Sequence, residues 1–194
     1  MQATRPAWPA ASAADFVDSL LRFLQRAGES RYDEAVSQLE HALQTAHLAV
    51  RARDSDHAIA AALLHDIGHL LLAGHDEQTL SLDTDLEHEV VGARWLARMF
   101  PQRVTDPIRE HVRAKRYLCA IDTGYHRRLS SASRRSLALQ GGTLPESERA
   151  SVDLMPHFAD AVTLRRRDDA GKVAGKAVPG LETYRALLES LVRG

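Results

Sequence analysis

One cysteine, Cys119, stands among 194 residues, so the chain can close no disulfide on itself and build no zinc site from several thiolates. Neither sign of charge dominates. Lys and Arg number 25 and Asp and Glu 26, which leaves no net field to draw the chain to nucleic acid or to a membrane surface. The local exceptions are basic runs at Arg127-Arg128, Arg134-Arg135 and Arg165 to Arg167. No apolar run approaches the length of a membrane span. Met1 to Ala14 carries Pro6 and Pro9 and lacks the charged-then-apolar order of a signal peptide, so a cytoplasmic location is the expectation. Strand-like alternation is missing over any useful length, and no internal repeat is found.

What is there is helical periodicity. With 44% hydrophobic and 26% charged residues, the chain reads as one all-α globular domain over 1–194. Its core is expected at about 14–168, with a C-terminal helix at about 181–192. Ala14 to Arg26 places Phe16, Leu20, Leu21, Phe23 and Leu24 on one stripe ended by Gly28. Asp33 to Arg53 repeats Val36, Leu39, Leu43, Ala46 and Val50 at spacings of three and four. Ser55 or Asp56 caps a helix expected to run to about Leu72, and His75 to Asp85 reads as a loop. Leu86 to Phe100 is helical, and Pro107 suits the first turn of a helix reaching about Leu118. Ser131 to Gln140, Ser151 to Arg166 and Leu181 to Val192 complete the set, with Gly171 to Gly180 as a flexible connection.

Ten histidines are the compositional excess. The informative pair is His65-Asp66, within Leu64-His65-Asp66-Ile67-Gly68-His69, where an imidazole and a carboxylate are adjacent after a buried apolar run. Two ligands hold a metal poorly, but His41, His88, His111 and Asp160 stand on other expected helices. Singly, His41 reads as a hydrogen-bonded core residue, and His88 and His111 as parts of a solvated face. Asp160, flanked by Phe158, Ala159, Ala161 and Val162, needs a partner if that face is buried. Together, four imidazoles and two carboxylates make the kind of ligand set that helical bundles direct into a core. One Asp can bridge two ions through its two oxygens, which suits Asp66. Mixed nitrogen and oxygen ligation fits iron, manganese, cobalt, nickel or zinc and does not choose among them.

The order His41, His65-Asp66, His88, His111, Asp160 resembles the HD-domain superfamily in its dinuclear form. In that pattern the first metal takes His41, His65, Asp66 and Asp160, and the second takes His88 and His111 with Asp66 bridging. A narrower resemblance rests on Gln38 to Gln44, His65 to His69, His111-Val112-Arg113-Ala114-Lys115 and Leu137 to Gly142. These segments look like the HD-domain mixed-valence diiron oxygenases that cleave organophosphonates, a group similar in fold to the inositol oxygenases. The resemblance implies two iron ions as an Fe(II)/Fe(III) pair, dioxygen as oxidant, and a 1-hydroxy-2-(amino or trimethylammonio)ethylphosphonate as substrate. The products would be phosphate and glycine or glycine betaine.

It also implies a phosphonate cradle of Lys115, His69, Ser133, Ser136 and Gln140, and a mobile Tyr32/Glu34 pair whose glutamate faces the substrate nitrogen. Two registers are open for that tyrosine, because Arg31 competes for the expected position. Neither a membrane nor nucleic acid is implied as a partner. The rival readings are a metal-dependent phosphohydrolase for a nucleotide or phosphomonoester, using the same metals to activate water, and a helical regulatory module.

Overall fold

The computed structural model describes residues 12–29, 36–73, 87–152 and 154–193, and these are organised entirely by helices, with no strand among them. The first helix, α1 (Ala13–Ala27), is capped by Ser12, whose hydroxyl accepts from the Asp15 N–H at 3.1 Å. One face of it buries Phe16, Leu20, Phe23 and Leu24. A reciprocal capping box of Ser37 and Glu40 starts α2 (Gln38–Arg51). Ser55 caps α3 (Asp56–Leu64), which is buried continuously from Ile59 to Leu64.

Short α4 (Ile67–Leu72) follows, then α5 (His88–Leu96) and the long α6 (Gln102–Ile121). Beyond it come α7 (Thr123–Arg128), α8 (Ser131–Leu139), α9 (Glu146–Val152) and α10 (Phe158–Ala170). A 3-10 turn at Leu181–Tyr184 leads into α11 (Arg185–Leu191). Helix α6 runs through the middle against α3, α5 and α10, while α2 packs on α3 and α10. Side chains of α1, α2, α3, α5, α6, α10 and α11 share the main core. No helix among the described residues is long and apolar enough to cross a membrane.

Several boundaries depart from the sequence expectation, and one departure makes the site. The helix expected to continue to Leu72 breaks at His65-Asp66, where Asp66 leaves helical geometry (φ −99°, ψ 10°). That break lets two adjacent side chains turn the same way, which neighbours on a continuous helix, about 100° apart, do not do. The long helix starts at Gln102 rather than Pro107. Pro101 ends the preceding turn, and Val104 and Ile108 already lie on the buried stripe, so Pro107 is carried inside the helix. The expected Ser151 to Arg166 helix is divided into α9 and α10, with His157 in a left-handed conformation (φ 59°) just before α10. Helix α7 lay outside the expectation, because Asp122 caps it (Tyr125 N–H to Asp122 Oδ1, 3.0 Å) with little apolar periodicity to announce it. The expected loop from His75 to Asp85 lies outside the described residues.

Candidate metal centre and anion cradle

Four helices and one helix break deliver four imidazoles and two carboxylates to one buried cluster. His41 comes from α2, His65 and Asp66 from the break between α3 and α4, His88 from the first position of α5, His111 from mid-α6 and Asp168 from the last turn of α10. All six are buried, His41 and His65 completely. The approach of α5 depends on glycine. A Cβ on Gly68 would lie 1.9 Å from the His88 carbonyl oxygen, so the two backbones meet directly there. Gly92 makes the reciprocal contact, 3.1 Å from the Gly68 nitrogen to its notional Cβ. Glu87 enters α5 at φ 48°, a left-handed conformation unusual for a glutamate.

The geometry divides into two halves around Asp66. His41 Nε2 and His65 Nε2 are 3.1 Å apart and lie 3.6 and 3.4 Å from Asp66 Oδ2. His88 Nε2 and His111 Nε2 are 3.3 Å apart and lie 3.4 and 3.7 Å from the other oxygen, Oδ1. Asp168 Oδ1 joins the first half, 3.3 Å from His41 Nε2.

Ring protons locate the lone pairs. His41 Nδ1 donates to the Gly171 carbonyl at 3.0 Å, His65 Nδ1 to Ala62 at 3.0 Å and His111 Nδ1 to Ile108 at 2.7 Å. His88 Nδ1 faces the buried Glu89 carboxylate at 3.3 Å. With the ring proton on Nδ1 in these contacts, Nε2 is the atom that can turn a lone pair into the cluster. Such an arrangement asks for a cation between the facing nitrogens. Neighbouring ligands at about 2.1 Å from one metal are themselves about 3.0–3.4 Å apart, as these nitrogens are. No donor is aligned on buried Asp66 Oδ2 or Asp168 Oδ1. The residues therefore suit metal binding through an all-nitrogen-and-oxygen donor set, with one Asp66 oxygen facing each histidine pair.

Electrostatics keeps the carboxylates ready. Burial opposes ionisation of Asp66, but His65, followed by His88, outweighs it and holds the carboxyl well below its ordinary range. Burial also opposes Asp168, where Arg165 and Lys172 win by the same logic. His111 moves the other way, pushed well down by burial and by His88.

Asp168, not Asp160, completes the first half. Asp160 was the sequence's candidate, yet its side chain is 55% exposed and pairs only locally with His157 at 3.4 Å. The buried stripe of α10 runs through Ala161, Leu164, Arg165 and Asp168. Asp160 lies eight residues before Asp168, about 80° away around the helix. The apolar neighbours that recommended it belong to the faces on either side.

Next to the metal cluster is a cationic cradle. Lys115, one turn after His111 on α6, is 2% exposed and donates from Nζ to Ser136 Oγ at 2.9 Å and to Gln140 Oε1. Ser133 lies beside it on α8, within 3.5 Å of Arg165 Nη2 and 3.4 Å of Lys172 Nζ. The expected Lys115, Ser133, Ser136 and Gln140 are thus brought together, and Arg165 and Lys172 join them. Asp168 links cradle and metal cluster, with Arg165 Nη1 2.6 Å from its Oδ2 and Lys172 Nζ 3.1 Å from its Oδ1. Burial, with the charges of Arg165 and Lys172 adding, brings the Lys115 pKa down to about 8.

His69 is placed elsewhere, on the second metal half. It stacks on His88 with ring centroids 3.8 Å apart and an interplanar angle of 15°, and with Asp66 and His88 it forms a further close group of donor atoms. Burial first, then His88, lowers its pKa to about 3. Tyr32 and Glu34 lie outside the described residues. Arg165, Lys172 and Asp168 escaped the sequence reading because they sit in a charge-rich run. For Arg165 and Asp168 the signal was their spacing of three, which keeps one helical face; Lys172 lies just past the end of α10.

Known proteins resemble the chain over most of its length. The HD domain family matches residues 39–148. The chain is 51% identical over 174 residues to a hydroxymethylphosphonate dioxygenase of Gimesia maris, covering 90% of this chain and 87% of that protein. It is 38% identical over 172 residues to a glycine-betaine-forming [1-hydroxy-2-(trimethylamino)ethyl]phosphonate dioxygenase of Leisingera caerulea, covering 88% of this chain and 86% of that one. An uncharacterized protein, L432, of Acanthamoeba polyphaga mimivirus is 33% identical over 174 residues, with 89% and 80% covered.

Proposed function

The chain belongs to the HD-domain family of phosphonate-cleaving oxygenases, and from that premise we propose that it opens the C–P bond of hydroxymethylphosphonate with dioxygen. The products are phosphate and formate. One hydroxymethylphosphonic acid and one dioxygen contain the atoms of one formic acid and one phosphoric acid, so no further co-reactant is required. The observation that carries the reading is the Asp66 carboxylate, shared between two histidine pairs and joined through Asp168 to a buried cationic cradle.

Two irons are the proposed occupants. When bound, they supply Lewis acidity and the redox capacity to use dioxygen. His41, His65, Asp66 and Asp168 would hold one, and His88 and His111, with the other Asp66 oxygen, would hold its neighbour. Lys115, Arg165 and Lys172 bring positive charge against the phosphonate, and Ser133, Ser136 and Gln140 contribute neutral polar groups. Their joint effect is to orient the substrate's carbon towards the metal pair in a site closed to bulk water. No side-chain nucleophile is used.

The small substrate is preferred because the chain is 51% identical to a protein named for hydroxymethylphosphonate and 38% identical to one named for the trimethylamino substrate.

Iron-loaded protein should be offered hydroxymethylphosphonate and 1-hydroxy-2-(trimethylammonio)ethylphosphonate, with and without dioxygen. The expected result is equimolar phosphate and formate from the first substrate, only in air. Preferential turnover of the ammonium substrate would move the assignment to that branch. Equal phosphate release without dioxygen would replace oxygenation by hydrolysis.

A further inference from the structure

The Arg165 guanidinium touches both parts of the site and is 4% exposed. Nη1 is 2.6 Å from Asp168 Oδ2, and Nη2 reaches towards Ser133 Oγ at 3.5 Å. Its remaining edge is closed by Tyr125 and Asp169. Arg165 Nε donates to the Tyr125 hydroxyl at 3.2 Å, that hydroxyl donates to Asp169 Oδ2 at 2.5 Å, and Asp169 Oδ1 accepts from Arg165 Nη2. The result is a closed ring of hydrogen bonds.

We propose that Tyr125 and Asp169 are positioning residues, a clamp that fixes Arg165 and through it sets both Asp168 and the anion cradle. The inference rests on the phosphonate reading of that cradle. Asp168 alone is a poor counter-ion for Arg165, because its other oxygen is turned to His41 and Lys172. Three cations, Lys115, Arg165 and Lys172, crowd one buried region, and Asp169 brings a second negative charge to balance them. Charge does not set orientation, however. Tyr125 does, because its hydroxyl accepts from one edge of the planar guanidinium and donates to the carboxylate that holds the next.

Burial raises the phenol's pKa far above its ordinary value, with Asp169 adding to the effect against Arg165, so the hydroxyl stays a donor. Tyr125 enters from α7, and its ring packs with Leu118, Cys119, Leu129 and Leu137. Phenylalanine would keep that packing and remove only the hydroxyl.

The test is calorimetric titration of the iron-loaded full chain with inorganic phosphate under anaerobic conditions. Wild type should bind, and Tyr125→Phe should bind about tenfold more weakly. Asp169→Asn, at a side chain 23% exposed and therefore tolerant of change, should also weaken binding. That sign is decisive, since removing a negative charge beside an anion site would otherwise tighten it. Unchanged or tighter phosphate binding in Asp169→Asn overturns the clamp. So does a Tyr125→Phe variant that melts earlier yet binds phosphate as well as wild type, the mark of a purely packing role. If wild type binds no phosphate, the cradle fails and the clamp with it.

Discussion

Lys115→Met should make the metal-free protein more stable while disabling it. The side chain is 2% exposed, and its pKa is brought from 10.5 to about 8, chiefly by burial. At about 1.36 kcal/mol per pH unit, keeping this ammonium charged in the fold at neutral pH costs about 3 kcal/mol relative to the unfolded chain. Methionine has similar length and no charge to desolvate. Against the gain stands the loss of the bonds to Ser136 and Gln140, about 1–1.5 kcal/mol. Ser136 keeps its bond to the Ser133 carbonyl (3.1 Å), and Gln140 is half-buried and reachable by water, which limits that loss.

The net expectation is a stabilisation of about 2 kcal/mol, or about 4–8 °C in Tm for a chain of this size. The sign has a pH signature. The folded pKa is depressed, so the wild-type penalty is full below about pH 8 and disappears as pH rises towards 10.5. The advantage of the variant should therefore be large at pH 7 and nearly gone at pH 10.5. Denaturant unfolding at several pH values measures it. A variant less stable than wild type, or an advantage independent of pH, would show that the buried ammonium carries no such cost. In turnover, loss of a charged contact to the phosphonate should lower kcat/KM by at least about tenfold.

Three further outcomes follow from the same structure. Asp168→Asn should lower the affinity for the first metal and reduce kcat by at least about a hundredfold, while Asp160→Asn should leave both within about twofold; equal effects would undo the assignment of Asp168. Gly68→Ala forces a Cβ to within 1.9 Å of the His88 carbonyl. Its overpacking cost should be about 1–3 kcal/mol in a thermal or denaturant melt, with bound metal falling towards one ion per chain as α5 is displaced. The pH profile of kcat/KM should fall through about pH 8 as Lys115 loses its proton; a profile flat to pH 9.5 would show that the ammonium does not serve substrate binding.

The sequence disclosed the helices and most of the site for different reasons. Helical stripes such as Phe16 to Leu24 are local, and their period is visible in any short window. His41, His65, Asp66, His88 and His111 are scarce residue types in helical surroundings, so their common destination was legible from order and resemblance. Asp168 was not, because Arg165-Arg166-Arg167-Asp168-Asp169 reads as a solvated charge run. Only tertiary packing of α10 on α2 and α6 reveals that its 161, 164, 165 and 168 face is buried. The Gly171 and Val173 contacts to His41 and Gln44 dock the end of that helix beside the metals, and they span about 130 positions in the chain. The break at His65-Asp66 was only partly legible: the apolar run before it suggested a buried helix end nearby, but the apolar pattern continues to Leu72 and reads as one helix.

The proposed function requires that both histidine pairs around Asp66 hold iron before dioxygen and a hydroxyphosphonate can react. Its most direct test is an anaerobic titration of chelator-treated protein with Fe(II), followed at each point by bound iron per chain and by dioxygen uptake on mixing with aerated hydroxymethylphosphonate. Saturation is expected at two irons per chain, with uptake appearing only as the second equivalent binds. Full uptake at one iron per chain, or none at two, would contradict it.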